Sequence, residues 1–419
     1  MKTYAMMVLG CKVNDYEATY VRENMNKYFD EVSFKDKADI YIVFTCCVTN
    51  TAEAKTRKFI HDARRNNDNA YIVAIGCLAQ IKPSDKTFED VDLLIGSDSK
   101  DEIVSLILAG NKINNVHEVI SDRFEDLYIE SYPTKSRSFL KIEDGCNQFC
   151  SYCIIPYARG RQRSADHNKV IEIAKSLSEK NSEIVLTGIH TGRYFDGEYD
   201  LCKLMSEIAK IEKIKTIRLS SIEITEISDE IIDLIKKNDK FAKHLHIPVQ
   251  SCDNTILKLM NRPYTIEYFK DRINYIRQEI PNISISTDLI VGFPNETDEL
   301  FENTFNNLKD IKFSFIHVFP YSKKANTPAD KMDNHVDSKI KKQRVRRVID
   351  LSSEYYLEYK KSFLNKKVEV LIERNDEMYS YGYCKEYIYT KIKGIHEIGS
   401  IIDVEIEKVD KEVIGRVIK

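Results

Sequence analysis

No apolar run in this 419-residue chain approaches the roughly twenty residues that cross a bilayer, so no helical membrane span is expected. No sign of charge dominates either, since 63 Lys and Arg stand against 66 Asp and Glu for a net charge of −3. That argues against a uniformly basic nucleic-acid binder but leaves room for local patches. Two such stretches exist, Lys55–Arg65 and Lys339–Arg347, and a solvated helix face accounts for each on charge alone. The opening MKTYAMMVLGCK carries one Lys and a short strand-like run that leads into polar sequence, so no secretory signal is expected. No internal repeat is evident. What the chain does hold is ten cysteines. Without a signal they point to metal or redox chemistry in a reducing cytoplasm, not to a disulfide framework.

Three of them, Cys146, Cys150 and Cys153, lie in KIEDGCNQFCSYC at C-x3-C-x2-C spacing. Soft thiolates select iron–sulfur clusters or zinc. A structural zinc site wants a fourth ligand close by, and the next cysteine is Cys202. Three thiolates could hold three irons of a cubane and leave the last iron open to a small molecule. A zinc knuckle, or three buried thiols, is the plainer alternative.

The first hundred residues alternate apolar runs (YAMMVLG, DIYIVFT, YIVAIG, VDLLIG) with polar segments of helical length, Asp15–Tyr28 and Thr51–Asn66 among them. This pattern predicts an α/β fold with a doubly wound parallel sheet. Cys11, Cys46 and Cys77 each follow one of these strands, at the end where such sheets bind ligands. Three cysteines far apart in sequence would thus converge, with Gly10 and Gly76 letting backbone approach a bulky group. Three ordinary buried thiols are the competing reading. Ser121–Ser138 is polar and reads as a linker. Beyond it six strands, SFLKI, EIVLTGI, TIRLSSI, HLHIPVQ, ISISTDLIVGF and FSFIHVF, alternate with helices such as Asn168–Glu179 and Ile266–Gln278. They predict a partial (β/α) barrel, with Cys146 on its first βα loop. A long basic and aromatic helix over Asp337–Leu364 precedes short alternating strands that suggest a small antiparallel β-barrel. That barrel suits either oligonucleotide binding or a structural cap. The expected domains are residues 1–120, 138–364 and 365–419.

GCNQFCSYCIIPYARGR resembles the cluster loop of radical S-adenosylmethionine enzymes, in which three Cys hold a 4Fe-4S cluster and the open iron binds the cofactor's amine and carboxylate. Tyr152 matches an aromatic residue that lies near the adenine there. GCKVN at 10–14, TCCVTN at 45–50 and GC at 76–77 resemble the N-terminal domain of methylthiotransferases. VLTGIHTG (185–192), SSIE (220–223), HLHIPVQS (244–251), DLIVGFPNET (288–297) and HVFPYS (317–322) resemble the same family's catalytic domain, and the last domain resembles its RNA-binding TRAM module. The resemblance covers essentially the whole chain. Lys12, Val13 and His190 favour the branch that acts on threonylcarbamoyladenosine in tRNA, over siblings acting on isopentenyladenosine or on a ribosomal-protein aspartate.

The resemblance implies two 4Fe-4S clusters, one on Cys146, Cys150 and Cys153 and an auxiliary one on Cys11, Cys46 and Cys77. It implies a cytoplasmic enzyme that uses S-adenosylmethionine to insert a methylthio group into tRNA, with an electron donor and a sulfur donor as further partners and no membrane. An aromatic C–H is not acidic, so the cofactors supply the radical chemistry while the protein orients it; no side-chain acid or base is assigned. Tyr152, Gly188, Glu223, Ile290 and Gly292 match cofactor-contact positions, although Glu223 could equally be a salt-bridged carboxylate. Arg159, Arg161 and Arg163 could take RNA phosphates or be solvated loop charge. The family commonly has Asn before the second cluster Cys where this chain has Thr45, and Cys47 follows, so Cys47 is a rival to Cys46; neighbouring side chains at a strand end point to opposite faces, so one of the two is expected to reach the cluster. Cys252 replaces a usual Gly and could line the active site, while Cys202 and Cys384 are expected to pack. His244 and His246 are not expected to be ligands. A non-catalytic RNA-binding iron–sulfur protein is the alternative of a different class.

Overall fold

Runs of β-branched residues bounded by polar helical segments build three successive sheets in the computed structural model, which describes residues 2–134 and 136–418. The first holds β1 (Thr3–Val8), β2 (Asp30–Glu31), β3 (Ile40–Thr45), β4 (Tyr71–Gly76), β5 (Leu93–Ile95) and β6 (Ile113–Asn115). All pair in parallel, in the order β2-β1-β3-β4-β5-β6. This is a doubly wound sheet whose strand order reverses between β1 and β3, the place where such sheets bind ligands. β2 and β6 carry no run long enough to mark them in the sequence. Apolar clusters cover both faces, one around Tyr41, Val43 and Ile72 and the other around Tyr4, Ile42 and Ile75.

Six further parallel strands follow: β7 (Arg137–Lys141), then, past a short antiparallel pair β8 (Glu143–Asp144) and β9 (Arg163–Ser164), β10 (Glu183–Thr187), β11 (Thr216–Leu219), β12 (His244–His246), β13 (Ser284–Val291) and β14 (Phe315–Pro320). They form the sheets β11-β10-β7 and β12-β13-β14, joined by a parallel bridge from Ile217 to Phe241. Together they make the expected partial barrel. The helix Lys12–Met25 packs on β7 at one side, and the helix Ser338–Lys361 packs on β14 at the other.

The chain ends in a closed barrel of β15 (Lys367–Asn375), β16 (Tyr379–Cys384), β17 (Tyr389–Lys393), β18 (Ile401–Val409) and β19 (Val413–Val417) around Val370, Ile372, Ile392, Val404 and Ile406. Gly382 is required there, because a Cβ would lie 1.7 Å from the Leu371 carbonyl oxygen. Among the described residues, no helix is long and apolar enough to cross a membrane.

The polar stretch read as a linker is tied down. Leu127, Ile129 and Tyr132, spaced at two and three residues, are buried in the barrel core. The Tyr16 hydroxyl donates to the Leu127 carbonyl at 2.6 Å, and Glu23 accepts from the Glu130 and Ser131 amides. Its charged residues masked this alternation in the sequence.

Candidate functional site

The reversal point of the first sheet gathers the dispersed cysteines. Cys11 follows β1, Cys46 follows β3, and Cys77 opens the helix after β4. Gly10 and Gly76 both have φ of +108°, which a residue with a Cβ rarely adopts. A Cβ at Gly10 would sit 3.2 Å from the Cys46 Cβ and 3.4 Å from its Sγ. Asn14 ties the two strand ends together, donating to the Leu9 carbonyl at 2.6 Å and to the Thr45 carbonyl at 3.1 Å. The three thiols lie close enough to perturb one another's ionisation.

Cys46 and Cys47 do not divide cleanly between two faces, for both approach Cys77. Cys46 lies against Gly10, while Cys47 joins Cys77 in the apolar core beneath it. The strand has ended at Thr45, so the alternation of side chains no longer holds. The neighbouring Cys47 thiol and the Arg159 guanidinium outweigh burial and hold the Cys77 thiol down to about 6.

The second thiol set sits on the loop after β8. Gly145, with φ of +78°, admits the close return of the chain, since a Cβ there would lie 2.0 Å from the Arg161 carbonyl oxygen. Each thiol faces hydrogen-bond donors or burial. Cys146 Sγ is 3.3 Å from His190 Nδ1 and accepts from the Gln148 amide at 3.4 Å. Cys150 Sγ accepts from Arg262 Nη1 at 3.3 Å. Burial pushes the Cys153 thiol up to about 12. Burial alone would lower His190, but its contacts with the Cys146 sulfur and the Glu226 carboxylate raise it to about 10. Two triples of thiols, each beside cationic N–H donors, suit anionic thiolate-ligated clusters, whose potentials respond to hydrogen bonds to sulfur.

The two sets are brought together by the chain that leaves Cys153. Ile154 and Ala158 enter the apolar core of the first sheet, and the helix Ile155–Arg159 packs on the helix Cys77–Ile81. Arg159 is thereby fully buried, which corrects its assignment to RNA. Its guanidinium donates to Cys77 Sγ at 3.3 Å, to Glu17 Oε1 at 2.7 Å, to Asn14 Oδ1 at 2.6 Å and to Asp144 Oδ2 at 3.2 Å. Lys141 reaches Glu17 and Asp144, each at 2.7 Å. Arg163 is also buried, donating to the carbonyls of Arg159 and Arg161, and does not face solvent either. Arg161 alone of the three is exposed, its guanidinium 4.7 Å from the Phe149 ring centre. The basic stretch Lys339–Arg347 is partly neutralised in the same way. Arg344 is buried against Glu296 and Asp298, and Arg347 pairs with Glu302.

Two adjoining cavities lie at the C-terminal ends of the barrel strands. The smaller, of about 240 Å³, is lined by Tyr152, Cys153, Gln250 and Ile290. The larger, of about 670 Å³, has Cys11 and Lys12 on one wall, Gly188, Ser220 and His246 on another, and Tyr387 of the terminal barrel on a third. Val48, Ile155, Asp288 and Phe319 border both. Gly188 is constrained from behind, where a Cβ would meet the Glu143 carboxylate at 2.8 Å. Burial raises Glu143 to about 8. At Gly292, φ is +72° and a Cβ would crowd Lys341. Glu223 forms an ion pair with the buried Arg262, so its carboxylate already has a partner. His244 and His246 both contact Ser286 Oγ, at 3.0 and 2.9 Å, and line the larger cavity. Cys252 is fully buried in the barrel core, Cys384 is buried in the terminal barrel, and Cys202 is half-buried.

Sequence reasoning missed Arg262, Glu143, Glu17 and Asn14. Glu143 carried a faint signal, as a carboxylate directly after an apolar strand and before the Cys-rich loop. Arg262 carried none, because it reaches Cys150 from a loop more than a hundred residues away.

Residues 140–308 match the model of the radical SAM superfamily, and residues 3–96 match that of an uncharacterised protein family, UPF0004. The chain is 40% identical to the threonylcarbamoyladenosine tRNA methylthiotransferase MtaB of Bacillus subtilis, over 97% of this chain and 94% of that protein. It is 36% identical to the protein of the same name from Aquifex aeolicus, over 96% of this chain and 99% of the relative. The cobalamin-dependent S-adenosylmethionine radical enzyme OxsB, solved with aqua-cobalamin bound, superposes with a TM-score of 0.53 at 11% identity, covering 84% of this chain and 56% of OxsB. That likeness is one of fold.

Proposed function

The chain belongs to the methylthiotransferase family of radical S-adenosylmethionine enzymes, and from that premise we propose that it places a methylthio group on the adenine of threonylcarbamoyladenosine, 3′ of the anticodon in tRNA. Family membership brings S-adenosylmethionine and a 4Fe-4S cluster as cofactors. In our reading Cys146, Cys150 and Cys153 hold that cluster, and Cys11, Cys46 and Cys77 hold a second. Bound there, the cofactors would supply the radical and the sulfur for attack at a carbon that has no acidic proton.

The remaining work belongs to the chain. Arg262, His190 and the Gln148 amide offset the charge of one thiolate set, and Arg159 offsets that of the other. Tyr152 and Ile290 wall the smaller cavity, where an adenine would lie, and Gly188 lines the larger one. The observation that carries the reading is that the two cavities adjoin, with Val48, Ile155, Asp288 and Phe319 lining both. Cys153 borders one and Cys11 the other, so an acceptor base in the larger cavity would lie beside Cys11 and next to the cavity that Cys153 borders. The terminal barrel and Arg161 would position RNA through its phosphates. The electron and sulfur donors remain classes of partner, a low-potential reductant and a sulfide source.

The test is nucleoside analysis of tRNA from a deletion strain, with and without the gene restored. The 2-methylthio derivative of threonylcarbamoyladenosine should vanish and return. Loss of the isopentenyladenosine derivative instead would move the chain to the sibling branch, and no change in either would sink the reading.

A further inference from the structure

Lys12 stands apart from every other cation near the larger cavity. It opens the helix Lys12–Met25, directly after Cys11, and it is exposed to the cavity. Among the described residues its ammonium has no carboxylate within ion-pair distance and no hydrogen-bond acceptor; its recorded contact is the Phe139 ring, 5.9 Å away. The neighbouring guanidiniums are all engaged. Arg137 pairs with Glu183 and Glu373, and Arg218 pairs with Glu183 and donates to the carbonyls of Cys384 and Lys385. The acidic side chain of the cavity wall, Asp288, lies 3.3 Å from His246. An unpaired cation is thus held at the wall of a cavity of nucleoside size, where it can meet a carboxylate.

The acceptor under the proposed function carries such a group. Its threonylcarbamoyl appendage ends in a carboxylate and a hydroxyl, whereas an isopentenyl appendage is purely apolar. Ser220 and Ser221 line the same cavity and offer hydroxyl partners for the urea and alcohol of the appendage. Resting on that functional reading, we propose that Lys12 forms a carboxylate subsite that binds the amino-acid end of the modified adenosine and so sets acceptor choice. An apolar appendage would leave the ammonium unpaired beside it and would bind less well for that reason.

The test uses the reconstituted holoenzyme with three anticodon stem-loops, bearing threonylcarbamoyladenosine, its methyl ester, or isopentenyladenosine. Dissociation constants are measured alongside kcat and KM. With the native chain the ester should bind about ten- to a hundredfold more weakly than the acid, as expected for one charge-assisted contact, with the change in KM and not in kcat. Lys12→Gln should erase the acid-to-ester ratio, and Lys12→Arg should largely keep it. Iron per chain, measured in parallel, reports whether neighbouring Cys11 is disturbed. Equal affinity of the native chain for acid and ester overturns the proposal without any variant. So does a ratio that survives Lys12→Gln. Absence of methylthio product from the native chain with every stem-loop overturns the functional reading instead, and the binding ratio still decides the subsite.

Discussion

Replacing Glu17 by Gln should loosen the joint between the first sheet and the barrel. Glu17 is fully buried on the helix Lys12–Met25, with Lys141 and Arg159 each 2.7 Å away and Lys100 at 3.7 Å. Burial alone would raise its pKa, but the Arg159, Lys100 and Lys141 charges outweigh that and hold it down to about 2, from an ordinary 4.5. A displacement of that size corresponds to about 3 kcal/mol. Because the folded value is depressed, this stability is fully present above 4.5 and is lost as pH falls through about 2. Near neutral pH the native chain therefore carries all of it. Glu17→Gln keeps the shape and removes the charge, leaving Lys141 and Arg159 with Asp144 as their shared carboxylate. Breaking one side of a buried pair costs about 3–5 kcal/mol, in line with the linkage figure. The expected loss of about 3 kcal/mol lowers the melting midpoint by roughly 6–12 °C for a domain-sized unit. The assay is thermal unfolding of the cluster-free chain, followed by circular dichroism at neutral pH under reducing conditions. In a double-mutant cycle, Arg159→Met should cost much less when Glu17 is already Gln. A shift below about 2 °C in the single variant, or full additivity in the double, would refute the idea that this network holds the two parts together.

Three further outcomes follow from the same geometry. Intact protein reconstituted anaerobically should hold about eight irons, and Cys47→Ala should keep them while Cys46→Ala loses about half; the reverse result would exchange their roles. Gly145→Ala forces a Cβ to within 2.0 Å of a backbone oxygen at φ of +78°, so it should cost about 1–3 kcal/mol and halve the iron content; unaltered iron would show that the loop can re-form. Removing the chain from Lys366 onward takes away Tyr387, which stacks on His244 with ring centres 4.2 Å apart, and the expected result is weaker tRNA binding together with an opened acceptor cavity. Undiminished tRNA affinity in a titration of the truncated chain would make the terminal barrel a cap.

The sequence alone marked most strands of the first sheet and all six of the barrel, and it grouped six cysteines into two candidate sets. Apolar runs between helical segments mark β1, β3, β4 and the six barrel strands, which are three to eight residues long, because parallel strands packed under helices are largely buried. The C-x3-C-x2-C spacing is local chemistry, so it too is legible without a fold. What tertiary structure alone decided is which charges meet. Arg159 reads as a loop cation beside two others, yet packing of Ile154 and Ala158 into the first sheet drives it under Cys77 and Glu17, more than eighty residues away. Arg262 finds Cys150 in the same manner, and Tyr387 closes a cavity that begins at Cys11. The physical reason is common to all of these. A strand or a short ligand motif is specified by neighbours along the chain, whereas the partner of a buried charge is specified by whatever the folded core leaves within about 3–4 Å of it, and no local pattern encodes that distance.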